Sequence, residues 1–230
     1  GYFELGKISK FPKKHKIYDF HIFGSIDCPS SYSKIAAIEW NLREVFPRKI
    51  INEAKEIFEN YKISKNECRI AKPFITIDPD DAKDLDDAIF VEEDTSENNP
   101  GGLYLYIAIA DVSFFVKPGS IIDEEALKRG NSTYFPDKVI PMLPEDLSNS
   151  LCSLKERSPK KAIVVKIKLD YKGQKITHKF MRGLIEVKKN YSYEKFEAHL
   201  SKDKTEDQFI EYKKAFDILL RSPLLNNRLN

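Results

Sequence analysis

"ITIDPDDAKDLDDAIF", residues 75–90, places six aspartates within ten positions, between two apolar runs of strand type: Asp78, Asp80, Asp81, Asp84, Asp86 and Asp87. The β-branched flanks, with Pro79 and the Asp80-Asp81 pair between them, predict two strands joined by a tight acidic loop. Asp78 ends the first strand and Asp87 begins the second. Asp84 and Asp86 are two apart, so they share a face if the segment is extended. Two carboxylates about 4 Å apart repel by roughly 4 kcal/mol at an effective dielectric near 20. Four together need protons or cations. An all-oxygen donor set favours Mg²⁺ or Mn²⁺, with phosphate oxygens completing the shell. An EF-hand calcium loop is excluded, because it needs Gly at its sixth position and Glu at its twelfth, where this loop has Lys83 and Ile89. Asp80 and Asp81 read as turn formers, and Lys83 either tunes the carboxylates or points to solvent.

The charge around this loop is uneven. Residues 1–72 carry 14 Lys+Arg against 9 Asp+Glu, residues 73–111 carry 1 against 11, and residues 112–230 carry 23 against 16. Charge runs are commonly solvated surface. Basic flanks around a tight acidic cluster are also what a nuclease needs, with cationic side chains on phosphates and carboxylates on metal. The 41% apolar content supports a packed core. No run of about 18 apolar residues occurs, and no charged-then-apolar leader is visible, so neither a membrane span nor secretion is expected. Cys28, Cys68 and Cys152 are odd in number and form no CxxC pair, which speaks against disulfides and structural zinc and fits a cytoplasmic protein.

Outward from the loop, "YFELGKISKF" (2–11) and "IYDFHIFGSI" (17–26) predict two short antiparallel strands around a basic turn, "PKKHK" (12–16). Two strands are not stable alone, so the pattern suggests the end of a β-barrel. Phe11, Tyr18 and Phe23 are either ordinary strand aromatics or part of an oligonucleotide-binding face. Pro47 and the apolar period of Ile50, Ile51, Ala54, Ile57, Phe58 and Tyr61 predict an amphipathic helix over 47–61. Strands follow at 74–78, 87–93 and 103–116, the last apolar enough to be buried on both faces. A helix is expected at about 121–129, a β pair over 162–187 turning at Lys172-Gly173, and helical structure in the final third.

"TIDPDDAKDLDDA", "IAIADVSFFV" and "STYFPDKVIPMLPEDLSNSLCSL", in that order across residues 74–154, resemble the RNase II/RNase R family of processive 3′→5′ exoribonucleases, closest to its bacterial ribonuclease R branch. The resemblance implies an α+β chain. Residues 1–45 would be the C-terminal part of an OB-type cold-shock β-barrel, 46–69 a helical connector, and 70–230 the N-terminal part of an RNase II-type catalytic domain, a mixed sheet with helices. It implies metal ligation by Asp78, Asp84, Asp86 and Asp87, with Asp84 and Asp86 also classed as catalytic. Tyr134 would pack against RNA near its 3′ end and Tyr193 would face the terminal nucleotides. Asp111 and "VIPMLP" read as architecture.

By the same resemblance the cofactor is Mg²⁺, with Mn²⁺ as a substitute, and the partner is single-stranded RNA, with structured RNA as a further substrate, acted on by a monomer. The family's later Ser-Pro-Ile-Arg-Arg-Tyr type motif, its first cold-shock domain and its S1 domain have no counterpart in these residues. The chain is therefore expected to be a fragment, inactive alone. The alternative class is a non-catalytic RNA-binding relative of the same fold, which the presence of all four acids disfavours. A metal-binding scaffold leaves the basic and aromatic flanks unexplained.

Overall fold

Strand-type runs alternating with helix-type runs fold here into a mixed α+β chain. A computed structural model describes residues 2–8, 17–25, 27–200 and 207–221. In chain order the elements are β1 (Tyr2–Ile8), β2 (Ile17–Ser25), α1 (Pro29–Glu39), α2 (Arg48–Asn60), β3 (Phe74–Asp78), β4 (Asp87–Glu93), β5 (Leu103–Ala110) and α3 (Val112–Phe115). They continue with α4 (Ile121–Arg129), β6 (Thr133–Tyr134), β7 (Val139–Ile140), β8 (Pro159–Leu169), β9 (Lys175–Ser192), α5 (Tyr193–Leu200) and α6 (Asp207–Arg221). Among the described residues no helix is long and apolar enough to cross a membrane. The chain divides into two compact units, residues 1–54 with 118–144 and residues 55–117 with 145–230.

In the first unit β1 and β2 pair antiparallel, as their alternation predicts. The expected basic turn at 12–16 and Phe11 lie outside the described residues, as do the side chains of Tyr18 and Phe23. The helix α1 was not anticipated. It buries Ser31, Ser33 and Ala37, small residues that leave no periodic apolar stripe in the sequence. The helix α4 falls on the expected residues because its ends are encoded locally. The Ser120 hydroxyl accepts from the Asp123 N–H at 3.2 Å, and Gly130, at φ 80°, closes the last turn. Glu125 on α4 is buried and takes two hydrogen bonds from Arg43, both 2.8 Å, and one from Arg129 at 3.1 Å.

The second unit is a five-stranded mixed sheet closed into a barrel, β3-β4-β5-β8-β9. Neighbours are antiparallel except β3 and β9, which run parallel from Phe74↔Val187 to Asp78↔Ser192 and close the ring. The 18-residue β9 makes this possible, since its first part pairs with β8 and its last part with β3. One sheet face buries Ile75, Val91, Leu103 and Leu169 against Phe209, Tyr212 and Ala215 of α6. The face turned the other way carries Phe74 and the small residues Ala88, Ala108, Ala110 and Ala162, all buried, as the tight interior of a small barrel requires.

Two expectations for this unit need correction. The run 103–116 is not one strand. It ends at Ala110, where Asp111 leaves the extended region and its carboxylate accepts from the Phe114 N–H, capping the short α3. Nor is it buried on both faces, for Ile109 is 47% exposed. The β pair is also longer than its apolar pattern suggests, because β9 continues to Ser192 through a Lys-rich stretch held by pairing with β3. That pairing comes from residues more than a hundred positions away, which no local pattern reports.

Candidate metal and nucleic-acid site

The acidic loop lies at one end of the barrel, and the local sequence explains how. Pro79 has no N–H to extend β3, and Asp80-Asp81 form the turn, tied by the Ala82 N–H to the Pro79 carbonyl at 3.1 Å. Leu85 is buried between a half-buried Asp84 and an exposed Asp86, so both aspartates are more open to solvent than the residue between them. Beyond them Asp87 opens β4 in register with Ile109, and the Ala110 N–H holds the Asp86 carbonyl at 2.8 Å.

The loop is also fixed from behind. The buried Ser153 hydroxyl donates to the Lys83 carbonyl at 2.8 Å and accepts from the Leu85 N–H at 3.2 Å. Next to it the Leu154 N–H donates to the Leu85 carbonyl at 2.8 Å. Sequence reasoning missed this support. Ser153 carries no periodicity or motif that assigns it a partner 70 residues away.

The electrostatics follow from crowding. Burial raises the Asp78 carboxyl above its ordinary value, a Thr76 hydrogen bond opposes the rise, and the charges of Asp87 and Asp84 add to it. Asp86 remains exposed at its surface yet is raised as well, by desolvation first and then by Asp84, Asp87 and Asp78. The four carboxylates thus act on one another. Among the described residues no three His, Cys, Asp or Glu side chains form a ready-made metal cluster. The site nonetheless fits a hard divalent cation on two grounds. Its donors are all carboxylate oxygens, and Asp78 Oδ2 is buried without a hydrogen-bond partner. A buried acceptor left unpaired costs free energy that a cation would offset.

The remaining candidates are placed as follows. Tyr193 directly follows Ser192, the register partner of Asp78, and is 55% exposed at the start of α5. It therefore flanks the acidic end of β3. Tyr134 belongs to the other compact unit, where it pairs with Val139 in the β6–β7 ribbon and is 63% exposed. The Lys83 side chain is exposed. Asp111 is buried and serves the α3 cap and an ion pair with Arg182, an architectural role.

Comparison with known proteins gives the family. The RNB domain family matches residues 69–222. Ribonuclease R of Vibrio parahaemolyticus is 36% identical over 186 residues, 79% of this chain and 22% of that protein. Ribonuclease R of Thermotoga maritima is 35% identical over 219 residues, 91% of this chain and 30% of that one. Mycoplasma genitalium RNase R, solved with ribose-methylated single-stranded RNA, superposes with a TM-score of 0.73 at 29% identity, over 89% of this chain and 32% of that one. The same protein with double-stranded RNA gives 0.74 at 28% identity, over 92% and 39%. The chain thus spans about a fifth to two fifths of the length of these relatives. With the family match covering most of its residues, the chain belongs to the RNB exoribonuclease family, whose enzymes use divalent metal.

Proposed function

We propose that this chain supplies the metal-binding part of a processive 3′→5′ exoribonuclease that hydrolyses RNA, single-stranded and structured, to nucleoside 5′-monophosphates. The observation that carries the reading is the buried, unpartnered Asp78 Oδ2 at the strand end, where the charges of Asp84 and Asp87 raise the proton affinity of both Asp78 and Asp86. Asp78, Asp84, Asp86 and Asp87 hold Mg²⁺, or Mn²⁺ in its place. The cation, when bound, supplies charge neutralisation at the phosphate and activation of water. The aspartates present their carboxylate oxygens to that cation and fix the point at which the phosphate arrives.

Tyr193, exposed beside the end of β3, offers its ring to a terminal base, and Tyr134 offers a second stacking face. In this reading residues 1–45 are the end of a cold-shock barrel, 46–69 a connector, and 70–230 the start of the catalytic domain. The test is product identity. The protein that carries this chain, given a 5′-labelled oligoribonucleotide and Mg²⁺, should shorten it from the 3′ end and release 5′-monophosphates. Release of 3′-monophosphates, or cleavage unaffected by EDTA, contradicts the proposal.

A further inference from the structure

Asn190 lies on β9 directly opposite Thr76 in the parallel β3–β9 pair. Its carboxamide Nδ2 donates to Thr76 Oγ1 at 2.9 Å and to the Leu154 carbonyl at 3.1 Å, and its Oδ1 accepts from the Glu156 N–H at 2.9 Å. The last two partners fix which way the amide faces, since a carbonyl can only accept and an N–H only donate. That orientation makes the Thr76 hydroxyl an acceptor toward Asn190. That leaves its own proton available to the Asp78 carboxylate two positions along the strand, in the direction that opposes the burial-driven rise of Asp78. With the amide reversed, Oδ1 would compete for that proton.

The second N–H of Asn190 reaches the opposite arm of the acidic set. Leu154, fully buried, holds the Leu85 carbonyl, and its neighbour Ser153 holds Lys83 and Leu85. One amide therefore ties the strand bearing Asp78 to the segment that backs Asp84 and Asp86. We infer that Asn190, acting through Thr76 and Leu154, is the positioning residue that sets the spacing of the two carboxylate arms for the divalent cation. This rests on the metal-site reading above. Asn190 is not itself a ligand. Side chains that orient ligands in this way cost about 10–100-fold in metal affinity when removed.

The test is Mn²⁺ binding to the purified chain by calorimetry, with circular dichroism and thermal unfolding alongside, for Asn190→Ala, Thr76→Val and Thr76→Ser. Asn190→Ala and Thr76→Val should each weaken Mn²⁺ binding about tenfold or more, while Thr76→Ser, which keeps the hydroxyl, stays within about twofold of wild type. In the protein that carries the chain, the same two variants should raise the Mg²⁺ concentration for half-maximal cleavage without changing the KM for RNA. Thr76→Val that binds Mn²⁺ like wild type overturns the inference, as does Thr76→Ser as impaired as Thr76→Val, which would make packing and not the hydroxyl responsible. If Asn190→Ala fails to fold, the Thr76 pair decides. Asp86→Asn is the control. If it leaves Mn²⁺ binding unchanged, the metal-site reading has failed and this inference with it; if it alone weakens binding, only the inference has failed.

Discussion

Arg182 on β9 grips Asp111 at the end of β5, donating Nη2 to Oδ1 at 2.9 Å in a forked contact that also reaches the Ser113 hydroxyl at 3.1 Å. The carboxylate beneath this fork is fully buried and caps α3. The pair thus pins the turn that ends β5 two residues from Ile109, the register partner of Asp87. Burial would raise the Asp111 carboxyl, but Arg182 and Ser113 outweigh it and hold it below its ordinary value.

Asp111→Asn keeps the volume and removes the charge, and should destabilise the chain by about 1–3 kcal/mol at neutral pH in urea unfolding. The sign of the pH dependence follows from the depressed folded-state pKa. Asp111 contributes its full stability above the ordinary carboxylate range and loses it as pH falls through its lowered folded value. The wild-type and Asp111→Asn stabilities should therefore converge in acid. A constant gap down to low pH would show that the charge is not what holds this turn.

Thiol chemistry should separate the three cysteines. Cys28 and Cys68 are exposed, and a hydrogen bond from Ser30 lowers the Cys28 thiol. Cys152 is buried, and desolvation together with the charge of Asp86 pushes it up to about 12. Maleimide on the native chain should label two sites rapidly, with the third appearing only in denaturant, as mass spectrometry can count. Rapid native labelling of Cys152 would contradict the packing behind the acidic loop.

Phe209 anchors α6 on the sheet and touches the rings of Tyr191, Phe196, His199 and Tyr212. Truncating a buried aromatic of this kind costs about 3–5 kcal/mol. Phe209→Ala should lower stability by that order in chemical denaturation and loosen α6 before the barrel, visible as earlier hydrogen exchange in 207–221. Uniform exchange across the unit would argue that α6 is not a separate layer.

Tyr134→Ala should change where degradation stalls more than whether it starts. One base–aromatic contact is worth about 1–3 kcal/mol, too little to stop the chemistry and enough to release a short RNA end sooner. Longer limit products on single-stranded RNA are expected. An unchanged product ladder would leave Tyr134 a structural residue of its ribbon.

Much of this was legible from local pattern. The strands at 74–78 and 87–93, the helix at 121–129 and the acidic loop are each bounded by residues that act at short range: Pro79, Asp87, Ser120 and Gly130. What stayed hidden depends on distant partners. The helix α1 packs through small residues, β9 outruns its apolar pattern because β3 pairs with it, and Asn190 and Ser153 acquire their contacts only when the barrel closes. The crowding of the acids could be read from spacing. Their supports could not, because a single Asn or Ser carries no period.

The most direct measurement is paired cleavage and RNA binding by Asp86→Asn in the protein that carries this chain, with Mg²⁺ present. The substitution keeps the volume while removing a proposed metal ligand and one negative charge at a site where Asp84, Asp87 and Asp78 already press on it. Cleavage should be abolished, and RNA binding should be retained or tightened because repulsion of the phosphate falls. Near wild-type trimming by Asp86→Asn would contradict the assignment of the acidic loop as the metal site.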